Sequence, residues 1–309
     1  MKIILACSAD YMAIPAAMRL KAADMLACVV IPGTVKDRLL PAFLQAGFDR
    51  ESVHIVYKDT IEATFISLVQ AHDASCVFVI TFPWRIPEAA LAAPINGFIN
   101  FHPGLLPAYK GADPIFWQLK NREQFGGITV HRMTAVLDEG PVLNMQKMPV
   151  IPGETYGMHH VRLGMLAAEM VLNIAEMVRQ QQPGTAQDDS IPALYFKKPA
   201  RSEVTINWAT QSAAEIEAMV NAANPKYNGA ITRIRHMELS ILDVGFADVA
   251  DAPANVVPGT IVYADALYGP IVACADGKFI KVNTLCMTEG YISGGKFFSL
   301  GFGVGERFL

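Results

Sequence analysis

Short apolar runs rich in β-branched residues alternate with helical patterns through the first 150 residues, which restricts this part of the chain to a parallel-rich α/β sheet with crossover helices. The runs are Lys2–Cys7, Leu26–Ile31, Val53–Val56, Cys76–Thr81, Gly97–Phe101 and Ile128–Met133. Between the third and fourth, Ile61, Phe65, Leu68 and Val69 recur at helical spacing behind Asp59, with Glu62 three residues on, and predict a capped helix. From Thr155 to about Arg179, Met158, Val161, Met165, Ala168, Leu172 and Ala175 mark the apolar face of a longer helix, and Pro183-Gly184 supplies its stop.

The pattern then changes. Residues 183–200 are largely polar and contain proline, as an interdomain linker does, so the expected organisation is a first domain over 1–182 and a second over 201–309. In the second, Ser212 and Glu215 form a capping box in front of Ile216, Met219 and Val220. The runs Ala230–Ile234, Met237–Leu242, Gly259–Tyr263, Ile271–Ala275 and Lys278–Val282, with turns such as Asp276-Gly277, predict a small β-barrel. At 309 residues, 52% hydrophobic and 17% charged, the chain has enough apolar material for two cores and lies far from disordered compositions.

A net charge of −4 gives no general attraction for a polyanion, so nucleic acid is not implied. The five cysteines, at 7, 28, 76, 274 and 286, are odd in number, scattered and never spaced C-x-x-C. They suggest neither a disulfide framework nor a zinc knuckle, and a reducing cytoplasm is expected. The opening Met1–Cys7 is too short for the apolar region of a signal peptide and reads as a first strand. No stretch approaches the roughly 20 apolar residues of a membrane span, so no membrane association is expected.

The chemistry is concentrated in Asn100-Phe101-His102-Pro103-Gly104-Leu105-Leu106-Pro107-Ala108-Tyr109-Lys110-Gly111. Alternation along a strand puts Asn100 and His102 on one side and Phe101 on the other, and Pro103-Gly104 ends the ladder. An amide and an imidazole therefore leave the sheet together at a strand's carboxyl end, where open α/β sheets bind ligands. Asp138 follows the strand Ile128–Met133 and comes within reach of His102 if the two strands are neighbours. A carboxylate beside an imidazole fixes its tautomer and favours its charged form, and an amide can hold a developing oxyanion. No Ser or Cys accompanies them, which points to direct attack by a bound amine or water on a bound acyl donor. His131 reads as a hydrogen-bonded histidine without a chemical task, and His159-His160 as solvated or capping. His102, His131 and Asp138 lack the spacing of metal ligands, and no metal is expected.

Asn100–Gly111 with Pro114, then Gly127-Ile128-Thr129-Val130-His131 and Leu137-Asp138-Glu139-Gly140, resembles the signature of the N10-formyltetrahydrofolate-dependent formyltransferases. Gly126 stands where that family often has Thr. Weaker similarity to the carboxy-terminal barrel of methionyl-tRNA and amino-sugar formyltransferases lies in Val204-Thr205-Ile206-Asn207-Trp208, Asn224-Pro225 and Val272–Gly277. The resemblance implies a Rossmann-like catalytic domain followed by a barrel of the open oligonucleotide/oligosaccharide-binding (OB-like) type, with N10-formyltetrahydrofolate as formyl donor. It implies that Asn100 polarises the formyl oxygen, His102 shuttles the amine proton and Asp138 holds His102. Trp84, Arg85 and Ile86 with Thr134, Val136 and Asp138 would form the pterin slot, and Tyr109 and Lys110 would meet the acceptor.

Two departures bear on the acceptor. Methionyl-tRNA enzymes usually carry a basic, glycine-rich insertion after the second strand, where this chain has Pro32-Gly33-Thr34-Val35-Lys36-Asp37-Arg38; and Ala108 stands where they commonly have a basic residue. Residues 201–309 hold eight Lys and Arg against eleven Asp and Glu, a poor match to RNA phosphates. The expected acceptor is a small-molecule amine such as an amino sugar or a hydroxylated ornithine. The alternatives are a methionyl-tRNA formyltransferase, a formyl-folate hydrolase and an inactive folate-binding module.

Overall fold

The apolar runs of the first 150 residues assemble into one seven-stranded sheet. In the computed structural model, which describes residues 1–250 and 255–309, this region comprises β1 (Ile3–Cys7), α1 (Asp10–Ala22), β2 (Leu26–Pro32), α2 (Lys36–Gln45), β3 (Val53–Val56), α3 (Ile61–Ala71), β4 (Cys76–Ile80), α4 (Glu88–Leu91) and β5 (Phe98–His102). It continues through β6 (Lys110–Gly111), α5 (Pro114–Lys120), β7 (Phe125–Arg132), β8 (Val142–Pro149), α6 (Tyr156–Arg179) and β9 (Tyr195–Phe196). The sheet order is β3-β2-β1-β4-β5-β7-β8, parallel from β3 to β5 and antiparallel across β5-β7-β8. No crossover separates β5 from β7. The chain re-enters the sheet at the end where β5 left it, so the pairing there is antiparallel.

Compact folding divides the chain into two units, the first made of Met1–Pro114, Phe125–Pro149 and His160–Phe196 and the second of Ile115–Gln124, Val150–His159 and Lys197–Leu309. In the first, every residue of β1 and β4 is buried, as strands covered on both faces must be. Phe101 is fully buried with its ring centroid 5.4 Å from that of Phe78, so the residue between Asn100 and His102 anchors the strand end.

Three local expectations are corrected. The N-cap of α3 is Thr60 and carries no side-chain cap, so Asp59 does not cap it. Along α6 the buried face runs through Leu163, Ala167, Met170, Val171, Ile174 and Val178 and includes Ala168 and Ala175 as expected, while Met158, Val161 and Met165 are exposed. Gly164 sets that face: a Cβ there would lie 2.0 Å from the Tyr11 carbonyl oxygen, so helix and α1 backbone meet too closely for a side chain. His159 is fully buried, 3.1 Å from the Glu154 carboxylate, not solvated.

Residues 183–196 belong to the first unit. Thr185 exchanges two backbone hydrogen bonds with Val142, and β9 pairs in parallel with β6. The polar composition of this stretch reflects its exposure, and its order comes from backbone pairing.

The second unit contains α7 (Ala213–Ala223), β10 (Ala230–Ile234), β11 (Met237–Ala247), β12 (Ile261–Asp265), β13 (Gly269–Ala273), β14 (Phe279–Met287), β15 (Gly290–Ser293) and α8 (Gly294–Ser299). Its antiparallel sheet runs β10-β11-β14-β13-β12, with β15 added on β14. The two ends of that path are joined through the carboxy-terminal residues, Phe308 bridging Ile234 on β10 and Arg307 bridging Thr260 just before β12. The result is a barrel-like domain in which the tail bridges the two edges of the open strand path. Trp208, Phe297 and Phe308 stack inside it, and the Trp208 indole N–H donates to Thr232 Oγ1 at 2.8 Å.

Ser212 and Glu215 form the capping box at the start of α7, with Ile216, Met219 and Val220 buried behind it. Ser212→Ala is expected to lower the unfolding free energy by about 1 kcal/mol in a urea titration, with Ser212→Thr largely restoring it.

Candidate active site

Asn100 and His102 reach the end of β5, and β7 lies antiparallel beside them with Asn100 opposite His131 and His102 opposite Thr129. Opposed residues share a face of the sheet, so register alone brings the His131 ring to the Asn100 amide. The Asn100 Nδ2 and His131 Nε2 are 3.1 Å apart. His131 Nδ1 lies 3.0 Å from the Arg132 carbonyl oxygen, which can only accept. In the neutral ring Nδ1 therefore carries the proton and Nε2 accepts from Asn100, which leaves the second Nδ2 hydrogen available. Thr129 fixes the start of the motif loop: its hydroxyl donates to the Gly104 carbonyl at 2.6 Å and accepts from the Leu106 N–H at 3.1 Å.

Asp138 comes from the loop joining β7 to β8 and sits at φ +54°, a left-handed conformation that Asp tolerates better than most residues. Its Oδ2 accepts from the Gly111 N–H at 2.9 Å, and its Oδ1 stands 3.7 Å from His102 Nδ1 and 3.6 Å from His131 Nε2. Amide, two imidazoles and carboxylate thus converge from β5, β7 and the following loop. His102 Nε2 donates to the Tyr109 carbonyl at 2.5 Å, so Nδ1, the nitrogen facing Asp138, is the one open to a proton.

The electrostatics are set by burial, since the His102, His131 and Asp138 side chains are all nearly inaccessible. For His102 burial lowers the pKa, and nearby His131 adds to that; the Asp138 charge and the Tyr109 carbonyl oppose it without prevailing. The resting ring is neutral, contrary to the charged form that the carboxylate alone would favour. For Asp138 burial pushes upward, but the charged form of His102, contact with the proton-bearing form of His131 and the Gly111 N–H outweigh it and hold the carboxyl at about 2. An ionised carboxylate beside a neutral imidazole is a proton acceptor with its counter-charge already in place.

Both segments are clamped by residues 187–196. Gln187 Nε2 donates to the Asp138 carbonyl at 2.6 Å and to the Gly140 carbonyl at 3.2 Å. Lys110, buried, forms an ion pair with Glu139 at 2.6 Å under the ring of Tyr195, whose hydroxyl also bonds Glu139. Phe196 stacks on Tyr109 at 5.1 Å between ring centroids. Tyr109 and Lys110 thus organise the loop through contacts within the protein. At Gly111, φ is +94° and a Cβ would lie 2.3 Å from the Phe196 carbonyl oxygen; only glycine allows β6 to approach β9 and still offer its N–H to Asp138.

The residues expected to line the pterin slot divide. The Arg85 guanidinium donates to the Ala135 carbonyl and ties the loop after β4 to the loop carrying Asp138. Thr134 Oγ1 donates to the Val136 carbonyl at 3.0 Å, and Val136 is exposed. Trp84 is half-buried, edge-on to Phe82 at 5.8 Å, while Ile86 is buried in the apolar core. Gln187 and Tyr195 were not expected in this neighbourhood, and His131, read as a hydrogen-bonded histidine without a chemical task, meets the Asn100 amide. His131 was legible from β-register, but nothing in the sequence marks Gln187 or Tyr195 as partners of loops some 50 residues earlier.

An amide, an uncharged imidazole and an ionised carboxylate are brought together at these strand ends, with no Ser or Cys side chain among them. Residues 54–173 match the formyl transferase family, and residues 200–301 match the formyl transferase C-terminal domain. The methionyl-tRNA formyltransferase of Pseudomonas syringae pv. tomato is 37% identical over 221 residues, covering 71% of this chain and 65% of that protein. That of Janthinobacterium sp. is 30% identical over 231 residues, covering 74% and 69%. The chain thus matches about two thirds of the length of these relatives. Among solved structures, the N-formyltransferase of Helicobacter canadensis, in complex with folinic acid and dTDP-3-aminofucose, is similar with a TM-score of 0.68 at 15% identity, covering 91% of this chain and 98% of that one. The chain belongs to the formyltransferase family.

Among the described residues no helix is long and apolar enough to cross a membrane. The depressed Asp138 pKa has a consequence for stability. Its ordinary value is 3.8 and its folded value about 2, so its stabilising contribution is complete above pH 4 and is lost as pH falls from 4 to 2. Denaturation measured across that window should show a loss of about 2 kcal/mol that is absent in Asp138→Asn.

Proposed function

We propose that this chain transfers a formyl group from N10-formyltetrahydrofolate to the primary amine or hydroxylamine of a small molecule, an amino sugar or a hydroxyornithine-like compound. The observation that carries the reading is the convergence of Asn100, His102 and Asp138 at the ends of β5 and β7, with His102 Nδ1 3.7 Å from the Asp138 carboxylate. The donor supplies an activated formyl carbon. The neutral amine attacks that carbon as its carbonyl π bond opens, and the spare Nδ2 hydrogen of Asn100 meets the charge building on oxygen. His102 takes the proton the amine sheds, and Asp138, whose carboxylate is fixed by Gly111, stabilises the imidazolium that results. The bond from the formyl carbon to the folate N10 then breaks as N10 takes the proton held on the His102 imidazolium, which returns the ring to its neutral form. Trp84, Arg85, Thr134 and Val136 would border the pterin, since Arg85 already links their two loops.

The small-molecule acceptor rests on charge. Residues 201–309 carry eight bases against eleven acids, and Arg38, in the segment where tRNA enzymes have their basic insertion, is engaged with Asp10 at 2.8 Å and the Ser8 carbonyl at 3.0 Å. A methionyl-tRNA acceptor is the second reading, favoured by the names of relatives at 30% and 37% identity. Formyl-folate consumption measured against amino sugars, hydroxyornithine and aminoacylated initiator tRNA separates the two; turnover with tRNA alone, with salt-sensitive binding, overturns the first. Formate release without any amine would mark a hydrolase.

His102→Ala should lower turnover by about 10²–10⁴ and Asn100→Ala by about 10²–10³, each retaining affinity for a folate analogue. Turnover like the wild type in His102→Ala removes that ring from the mechanism.

A further inference from the structure

The far edge of the same sheet carries a second cluster of chemically capable side chains that shares no residue with the active site. Strand β3 is the terminal strand, paired in parallel with β2 so that His54 lies opposite Val30. Cys28, two residues before Val30, points to the same face. That face is covered by α3, whose Ile61, Phe65, Leu68 and Val69 pack with Cys28 and Val30 in one apolar cluster, and His72 caps the carboxyl end of the helix. One ligand atom from each of Cys28, His54 and His72 lies within 4.8 Å of the other two. Among the described residues, none of the three side chains has a hydrogen-bonding partner in the protein; the two imidazoles meet only edge to face, 5.9 Å between centroids.

We propose that Cys28, His54 and His72 bind a soft divalent cation of the zinc type, tying β2, β3 and α3 together. The donor set is one sulfur and two imidazole nitrogens with no carboxylate, which selects zinc-like ions over calcium or magnesium. Zinc–sulfur and zinc–nitrogen bonds of about 2.3 and 2.0 Å place tetrahedral ligands roughly 3.3–3.8 Å apart, within reach by side-chain rotation. Cys28 is buried and both histidines are partly exposed, so the fourth position opens to water. Burial pushes the Cys28 thiol up to about 12, so the metal must displace its proton: the S–H bond breaks, a metal–sulfur bond forms and one proton leaves to solvent. Burial, with His72 and Arg50 nearby, lowers the pKa of His54 and keeps its ring in the ligating form. Arg50, which donates to the Val53 carbonyl at 2.8 Å, adds positive charge beside the site, which makes the thiolate essential to a cation's binding.

Cobalt(II) added to chelator-treated full-length protein is the probe, because a thiolate ligand gives a near-ultraviolet charge-transfer band and tetrahedral coordination gives intense visible bands. One equivalent should develop both, release one proton and be displaced by zinc. Cys28→Ser should abolish the charge-transfer band, and His72→Ala, changed at a partly exposed helix end, should weaken binding by more than the roughly 10–100-fold typical of losing an outer-shell partner. Zinc should raise the melting temperature of the wild type and not of His72→Ala. Cobalt spectra without a sulfur band, or unchanged affinity in His72→Ala, overturn the proposal.

Discussion

Taking a histidine and an aspartate out of water side by side is the constraint on which the first unit depends. Each change in protonation would be costly there, and the surrounding groups settle the matter by geometry. The carboxylate keeps its charge because the Gly111 N–H donates to Oδ2 and the proton-bearing forms of the two facing histidine rings favour it. The His102 ring stays neutral because burial outweighs the attraction of that single charge. Under the proposed mechanism, a base of this kind needs no reorganisation before accepting a proton, which is the advantage of a preorganised, desolvated site.

Holding the two groups together requires two loops to be fixed against each other, and the fold does this with a strap from a third segment. Gln187 holds the backbone on both sides of Glu139, and the Lys110-Glu139-Tyr195 group ties the 109–111 and 137–140 stretches to the same strap. A loop so clamped has few arrangements available, which suits a site whose hydrogen bonds must be made to a transient charge.

Much of this was legible in the sequence where local rules suffice. Strand alternation placed Asn100 and His102 together and Phe101 inward, and the Ser212–Glu215 spacing gave a helix start. Parallel-rich order also followed from alternating strands and helices, although the antiparallel turn at β7 depends on where the chain re-enters the sheet. The α6 face was misread because apolar residues surround much of that helix, and the contact is chosen by the small size of Gly164 rather than by periodicity. Gln187 and Tyr195 lay beyond reach: their partners are distant in sequence and their polar surroundings look like a linker. The Cys28, His54 and His72 cluster was hidden for the same reason, since its ligands come from two strands and a helix end with no motif spacing.

Both units match one family, and the two sets of similar proteins differ in the acceptor they name, so under the proposed reading the shared chemistry resides in the strand ends of the first unit. Its central element is an uncharged His102 with the proton on Nε2. Nitrogen-15 NMR of histidine-labelled protein across pH 4–9 reads this directly. The account predicts that the His102 ring titrates below the ordinary 6.5, with Nε2 protonated and Nδ1 bare at neutral pH, and that Asp138→Asn moves its pKa lower still. A doubly protonated His102 at pH 7, or a titration unmoved by Asp138→Asn, would contradict it.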